Sequence, residues 1–458
     1  MRMETLGKIV VGAVILIFGT NSANAQDTQL EAASAARLAE LESRFNRLES
    51  RMSRLPSTSV GYRSEPKIPE PVLDGEADSP CGCGGGSNSG DCSKCGNCFV
   101  WGEHTWLKVG AGLRTSYNTV RDGAPNGTSW SNNFNVDNAR LYFNGQGHKY
   151  IKFELNTDIN NAQGFPSTPG SYDEGGNMRI LDAIVKFEFH DLFNVWMGRL
   201  LPPSDRSNLS GPFYANAWDF PFAQFGYPNI FQGRDDGVAI WGQWCGGALK
   251  YQVGAFEGVN GAASETQPIA GANPGDDLMF AARITANLLD PEPGYYNSST
   301  YYGEKDILAI GFAVMSQNNA NNDGGALSDF TGWSIDGLFE RPLNNGGVLT
   351  LEGAYYNFND NGATNSVRDG QSYFVLASYL FPCETCIGPI SGRFQPFARY
   401  QNYSRTNFTA ANLIRQTDVG THYIMHGHNA RVSAFWARQG LADGTEMDLF
   451  RLGVQLQF

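Results

Sequence analysis

The chain ends in FRLGVQLQF (residues 450–458), a stretch in which every second residue is apolar. Side chains alternate along a β-strand, so Phe450 and Leu452 would share one face, and Arg451 and Gln455 would share the other. The same alternation recurs through most of the chain. Strands with apolar residues on one face and charges on the other are typical of outer-membrane barrels, which turn their apolar side to lipid. The pattern predicts an all-β, antiparallel transmembrane β-barrel.

An antiparallel outer-membrane barrel has an even number of strands, and sixteen alternating segments are found here. Long connections on one rim and mostly short turns on the other fit the topology of such barrels, with 290–306 and 382–391 as exceptions. The strands are expected near residues 105–119, 134–147, 150–160, 178–189, 193–199, 235–244, 248–258, 278–289, 307–317, 330–342, 348–357, 371–381, 392–403, 415–426, 428–438 and 448–458.

Composition excludes several other classes of protein. Charged residues make up only 17% of the 458 residues, while aromatic residues make up 12%, more than a disordered chain carries. Beyond the N-terminus no apolar run approaches the roughly 18 residues of a transmembrane helix. The formal net charge of −13 gives no reason to expect nucleic acid as a partner.

The N-terminal hundred residues divide into three predicted segments. Residues 1–25 have the basic start, apolar core and Ala-Asn-Ala end of a secretory signal peptide, with an uncleaved anchor helix as the alternative. Residues 26–56 carry heptad spacing and predict a short coiled-coil helix, here called the stem, unless that helix lies on the chain's own body. Residues 57–100 form a Pro- and Gly-rich linker with a cysteine cluster, and 101–458 would be the barrel.

The linker is dense in cysteine. An exported protein meets an oxidising compartment, so disulfides are favoured over a metal site or no specific role, and the odd number leaves one thiol for a partner. A local disulfide between Cys383 and Cys386 is also predicted. The linker cysteines concerned are Cys81, Cys83, Cys92, Cys95 and Cys98.

The longest predicted connection, 200–234, is rich in proline and aromatic residues. A free loop this apolar would be poorly solvated, whereas folding into the barrel would bury its rings and narrow the lumen. We therefore predict that it forms the constriction, with Arg206, Trp218 and Phe225 as candidate residues. The alternative is a loop that caps the outer mouth or contacts a neighbouring protomer.

Several stretches resemble the family of phosphate-selective porins O and P. They include VDNARLYF (136–143), LDAIVKF (181–187), GRDDGV (233–238) and LGVQLQF (452–458), in the family's order and spacing. The resemblance covers about 100–458. It implies a sixteen-stranded, usually trimeric outer-membrane channel, with lipid and small hydrophilic solutes or anions as partners, and a preference for phosphate in some members.

Strand parity places basic and acidic side chains on the lumen wall, which leaves general diffusion, mild anion preference and a true phosphate site as alternatives. The predicted basic pore-lining residues are Lys108, Arg114, Arg140, Lys152, Lys186, Lys250, Arg283, Arg399, Arg431 and Arg451. The predicted acidic ones are Glu154, Asp158, Asp182, Glu188, Asp336, Glu340 and Glu352.

Two classes of function remain. The first is a passive outer-membrane channel without cofactor, metal or catalytic residues, since no G-x-S-x-G, P-loop or H-E-x-x-H motif occurs. The second is a structural envelope protein of a diderm bacterium, in which the barrel is an anchor and the stem and cysteines bind another layer. A long aromatic loop and a charged inner wall favour the channel, because a plain anchor needs neither.

Deleting the stem, residues 26–56, tests whether it holds an oligomer together. An isolated helix of this length is marginal in water, so we expect the stem to be stable only in association. The deletion should therefore weaken the oligomer on mild gels. An oligomer of unchanged resistance would mean that the barrel walls alone hold the protomers.

Overall fold

The computed structural model describes residues 97–159, 178–221, 233–260, 270–323, 325–361, 369–405, 413–441 and 444–458. The predicted signal peptide, the stem and nearly all of the linker lie outside the described residues, as do residues 222–232 of the predicted constriction loop. Among the residues described, no helix is long and apolar enough to cross a bilayer.

The described residues form strands β1 to β18 and one helix, α1 (Arg206–Tyr214). The strands are β1 (Cys98–Gly102), β2 (Thr105–Val120), β3 (Asn133–His148), β4 (Ile151–Ile159), β5 (Met178–His190), β6 (Phe193–Leu200), β7 (Asp235–Trp244), β8 (Leu249–Phe256), β9 (Met279–Asn287), β10 (Ile307–Asp323), β11 (Ala326–Pro342), β12 (Val348–Asn359), β13 (Gly370–Leu380), β14 (Thr385–Ile387), β15 (Ile390–Arg405), β16 (Leu413–His426), β17 (Ala430–Leu441) and β18 (Glu446–Gln457).

Sixteen of these strands, all but the short β1 and β14, close into an antiparallel barrel within the described part of the chain. Each pairs with the next, and β18 pairs with β2 from Leu449 opposite Val120 to Gln457 opposite Gly112. The prediction of sixteen strands is confirmed. The largest difference lies at the β10–β11 hairpin, where the Asn-rich stretch after Gln317 continues as strand instead of forming a loop.

The two faces of the barrel have opposite character, as the alternation predicted. Arg451 and Gln455 of β18 are buried inside, whereas Leu452 and Leu456 are exposed on the outside. The outer wall is apolar on other strands too, with Val375 of β13 56% exposed. Such a surface is unsuited to water and fits the hydrocarbon of a bilayer, so the barrel is of the outer-membrane type.

The two strands that the sequence did not predict both lie at the rim with the short turns. Strand β1 pairs with the start of β2 beside the chain's own C-terminus, because Val109 N–H bonds Asn97 O (3.0 Å) and Ala111 N–H bonds Phe458 O (3.2 Å). Strand β14 pairs with the first residues of β15 and extends the wall beyond β13.

The cysteines on the described residues differ in state. Cys98 is disulfide-bonded, while the other four linker cysteines lie outside the described residues. Cys383 and Cys386 are free and exposed, so the predicted local disulfide is not formed in this structure. Both belong to the β13–β15 connection, where the β14–β15 pairing and bonds from the Tyr423 hydroxyl to two backbone carbonyls already hold the chain without a crosslink.

A charge on the outer wall tests which face meets lipid. Val375 lies halfway along β13, so Val375→Arg should cost about 2–4 kcal/mol of unfolding free energy in liposomes, measured by urea titration. Phe381→Arg, just beyond the end of the same strand, is the matched control and should cost about 0–1 kcal/mol. Equal losses at the two positions would contradict the orientation.

Candidate functional site: the obstructed lumen

The connection after β6 folds into the barrel. Every described residue of 201–221 is buried except Phe220, which is partly buried. Asp205 caps helix α1 by accepting the Ser207 N–H (3.0 Å), and the helix kinks at Gly211, whose φ of 72° favours glycine. The described part of the loop thus enters the lumen as a short capped helix followed by extended chain, and its role as the constriction stays a prediction.

Arginine side chains of the β15–β18 and β2 wall hold the backbone of this loop. Arg114 donates to Trp218 O (2.5 Å) and Arg431 donates to Ala215 O (2.8 Å). These carbonyls lie in irregular chain and have no ladder partner, so a buried donor must satisfy them. The guanidinium groups supply donors in a planar fork that reaches several acceptors at once.

The same wall adds an ion pair at the end of the described part of the loop. Arg399 donates to Asp219 O (2.6 Å), and Arg451 pairs with the Asp219 carboxylate. Arg399 also pairs with Asp418 on the neighbouring strand (2.6 Å). The Arg114 guanidinium lies 4.0 Å from the ring centroid of Trp218 and stacks on it.

The opposite wall holds the start of the loop through acids. Asp336 of β11 accepts the Arg206 N–H (3.3 Å) and pairs with Arg283 (2.6 Å). Arg283 also donates to Ser204 O (2.9 Å), and the Tyr356 hydroxyl donates to Asp205 (2.9 Å). The loop therefore spans the barrel between the β9–β12 wall and the β15–β2 wall.

A second segment enters the lumen from the short-turn rim. This segment, residues 290–306 between β9 and β10, is here called the strap. Its Glu292 forms a bidentate pair with Arg206 of α1 (2.8 and 2.5 Å). Burial alone would raise the pKa of Glu292, but the Arg206 charge and hydrogen bonds outweigh it and lower the pKa to about 2. The carboxylate is therefore ionised at neutral pH.

All ten basic side chains predicted for the lumen face it. Most are paired with acids. Arg140 pairs with Asp158 (2.6 Å), Lys152 with Glu188 (3.0 Å) and Lys186 with Glu154 along the wall, as do Arg283 and Arg399, whereas Arg451 pairs with Asp219 of the loop. Lys108 lines a cavity at the short-turn rim with Trp106 and Tyr142. Lys250 bonds Asn297 of the strap (2.7 Å). The basic residues are thus distributed around the wall and not gathered into one cluster.

Of the predicted constriction residues, Arg206 and Trp218 lie in the lumen, and Phe225 lies outside the described residues. The sequence prediction missed the buried acids Asp137, Asp219 and Asp418. Asp418 lies directly opposite Arg399 in the strand register, which parity would have indicated. Asp137 lies at a break in register, where parity fails.

Two histidines with structural roles were also missed. His422 Nε2 lies 2.7 Å from Asn216 O in the loop, and His428 Nε2 lies 3.0 Å from Thr300 O in the strap. Among the residues described, no group of three or more His, Cys, Asp or Glu side chains is placed to hold a metal ion. These histidines instead bond the two segments that enter the lumen.

No protein-family model matches this chain, and no curated protein matches it. Solved outer-membrane porins are similar in fold. OprB of Pseudomonas putida has a TM-score of 0.52 at 10% identity, covering 77% of this chain and 94% of that one. OmpF of Salmonella typhi scores 0.49 (12% identity, 78% and 99% covered), and the outer membrane channel DcaP of Acinetobacter baumannii scores 0.48 (15%, 79% and 99%). The resemblance to phosphate-selective porins remains a prediction.

Removing one partner of the loop's ion pair tests how firmly the wall holds it. Arg451→Met would leave the buried Asp219 carboxylate without that partner and should cost about 3–5 kcal/mol of unfolding free energy. Arg341→Met breaks a half-exposed pair with Asp306 (3.7 Å) and should cost about 0–1 kcal/mol. Denaturant unfolding in lipid measures both, and similar losses would mean that the loop is not anchored through Arg451.

Proposed function

We propose that the chain forms an outer-membrane channel for passive diffusion of small hydrophilic solutes and ions. The observation that carries the proposal is the inserted loop, 201–221, held across the lumen by charged side chains of both walls. A barrel that served only as a membrane anchor would need neither a charged inner wall nor a loop that sets its bore. The porin fold of the solved neighbours supports the same class.

For the solute, we propose general diffusion with weak selectivity. Strand parity gave ten basic against seven acidic lumen residues, and the structure adds further acids, Asp137 and Asp418 on the wall, Asp219 on the loop and Glu292 on the strap, beside Arg206 of the loop. Most of the basic groups are paired with carboxylates, which cancels their field at a distance.

A mild anion preference is the second candidate, and one observation favours it. Arg114 and Arg431 bond neutral carbonyls of the loop, so these contacts leave their positive charge in place. Such charge, focused by a low-dielectric wall, attracts anions.

The export of the chain, its oligomeric state and its contacts with the envelope are proposals as well. An N-terminal signal peptide would export the chain to the outer membrane of a diderm bacterium, and the resemblance to phosphate-selective porins favours a homotrimer. The stem and the linker cysteines would then face the periplasm, where they would bind another envelope layer. This envelope role is compatible with a working channel.

Planar-bilayer recording under a KCl gradient, followed by added phosphate, tests the channel. Wild-type protein should give stable conductance steps, and deletion of 206–228 should raise the step size because it removes the constriction. Deletion of 125–129, an exposed loop between β2 and β3, is the control and should leave the step size unchanged.

The direction of the reversal potential separates the two solute candidates. A reversal potential near zero supports general diffusion, and an anion-directed reversal potential supports the mild anion preference. Block by low phosphate would indicate a specific phosphate site. Folded, heat-modifiable protein without steps in any variant would contradict the channel and leave the envelope anchor.

A further inference from the structure

The strap is unusual for its position. Most of the other described connections at the short-turn rim are brief, such as Cys245–Gly247 and 427–429, and the longer 381–389 contains β14, whereas 290–306 contains neither helix nor strand. A connection this long without secondary structure usually serves a function. Its ends are already joined, because the Asp290 N–H bonds Asp306 O (2.8 Å). Closing the barrel therefore does not require the residues between them.

The strap crosses the lumen from wall to wall. On one side the Tyr295 ring stacks on Trp196 of β6, with centroids 4.7 Å apart, and Gln252 of β8 donates to Tyr295 O (2.5 Å). On the far side Thr300 O lies 3.0 Å from Nε2 of His428, in the β16–β17 turn. Burial, aided by the charge of Arg431, lowers the pKa of His428 to about 3, so the ring is neutral and donates from Nε2.

The strap meets the constriction loop inside the barrel. Besides the Glu292 pair, Arg206 donates to Ser298 O (2.6 Å), and the Ser299 N–H bonds Tyr214 O (3.1 Å). The Ser299 and Ser210 hydroxyl oxygens lie 3.2 Å apart. Segments entering from opposite rims thus touch, and the residues at their contact are buried.

This contact is polar, which distinguishes it from a permanent core. Ser298, Ser299 and Thr300 are almost fully buried, yet their partners are hydroxyls, carbonyls and carboxylates that water would satisfy equally well. Gly294 and Gly303 have φ values of 87° and 88°, and they bound the crossing segment. Glycine accepts many backbone conformations, so these positions are suited to act as hinges.

We propose that the strap is a gate at the short-turn rim, closed in this structure, and that the Arg206–Glu292 pair is its latch. Opening would withdraw the strap from the constriction loop and widen the path below it. The inference rests on the proposed channel function and adds a moving part to it.

Excising the strap is the first test. Replacing 291–305 by Asn-Gly joins Asp290 to Asp306 through a two-residue hairpin turn, which antiparallel neighbours accept. Folding is checked by heat-modifiable mobility on gels. In planar bilayers the excised variant should conduct with steps roughly twofold larger than wild type or more, or be open for a larger fraction of the time.

Breaking and locking the contact are the second and third tests. Glu292→Gln removes the latch charge and should raise the open fraction, whereas Glu304→Gln, an exposed strap carboxylate, should not. In the double variant Ser210→Cys/Ser299→Cys the two thiols are within reach of a disulfide. Oxidation should hold the channel at its lowest conductance and dithiothreitol should restore wild-type openings, while each single variant should show neither effect.

The outcomes separate the gate from the channel. If wild type conducts and excision changes nothing, or if the oxidised double variant conducts like wild type, the gate is wrong and the channel stands. If the excised protein conducts and wild type rarely opens, both are supported. If no folded variant conducts, the proposed function fails and the gate fails with it.

Discussion

A strand that faces lipid has no water for its backbone, so each N–H and C=O group along it must bond a neighbouring strand. The pairing of β18 with β2 meets this requirement by removing both edges of the sheet. Closure of the barrel also determines which side chains point into the lumen. Alternate side chains must point into the lumen, and many of those residues are polar or charged, beside aromatic ones such as Trp196 and Phe397. The contents of the lumen follow from that enclosed polar surface.

Irregular chain is admissible at membrane depth only where protein or water satisfies it, and here the wall does so. Guanidinium groups of β2 and β17 bond loop carbonyls, and Asp336 bonds the start of α1. The strap obeys the same rule, because Glu340 of β11 accepts bonds from Thr300, Tyr301 and Gly303. Several charges on the barrel wall thus serve as partners for inserted backbone, others pair with one another, and in the proposed channel only charges that stay unpaired would contribute to selectivity.

The alternation of apolar and polar residues was enough to predict most of the fold. Each strand residue faces either lipid or the lumen, so its polarity indicates its direction. Strand β7 (Asp235–Trp244) begins and ends where it was predicted. Parity failed at Asp137, where a break in register changes the direction of the side chain. Strand parity also does not indicate which partners the charged side chains bond. Arg431 and Ala215 are 216 residues apart in sequence, and only the folded loop brings them together. In the sequence the strap stood out only as an exception to the short turns, since its Tyr and Ser residues follow no periodic pattern.

Because wall arginines hold the inserted loop, the position of the loop affects both the width of the lumen and the charge on its wall. Arg114 and Arg431 bond carbonyls, whereas Arg451 shares its charge with Asp219, which belongs to the loop and not to the wall. A displacement of the 215–219 part of the loop would therefore withdraw carbonyl acceptors from Arg114, Arg399 and Arg431 and carry the Asp219 carboxylate away from Arg451. The wall would become more basic as the passage widened. Size and selectivity then depend on the same segment, because the residues that position the loop are the ones that solutes would meet once it moved.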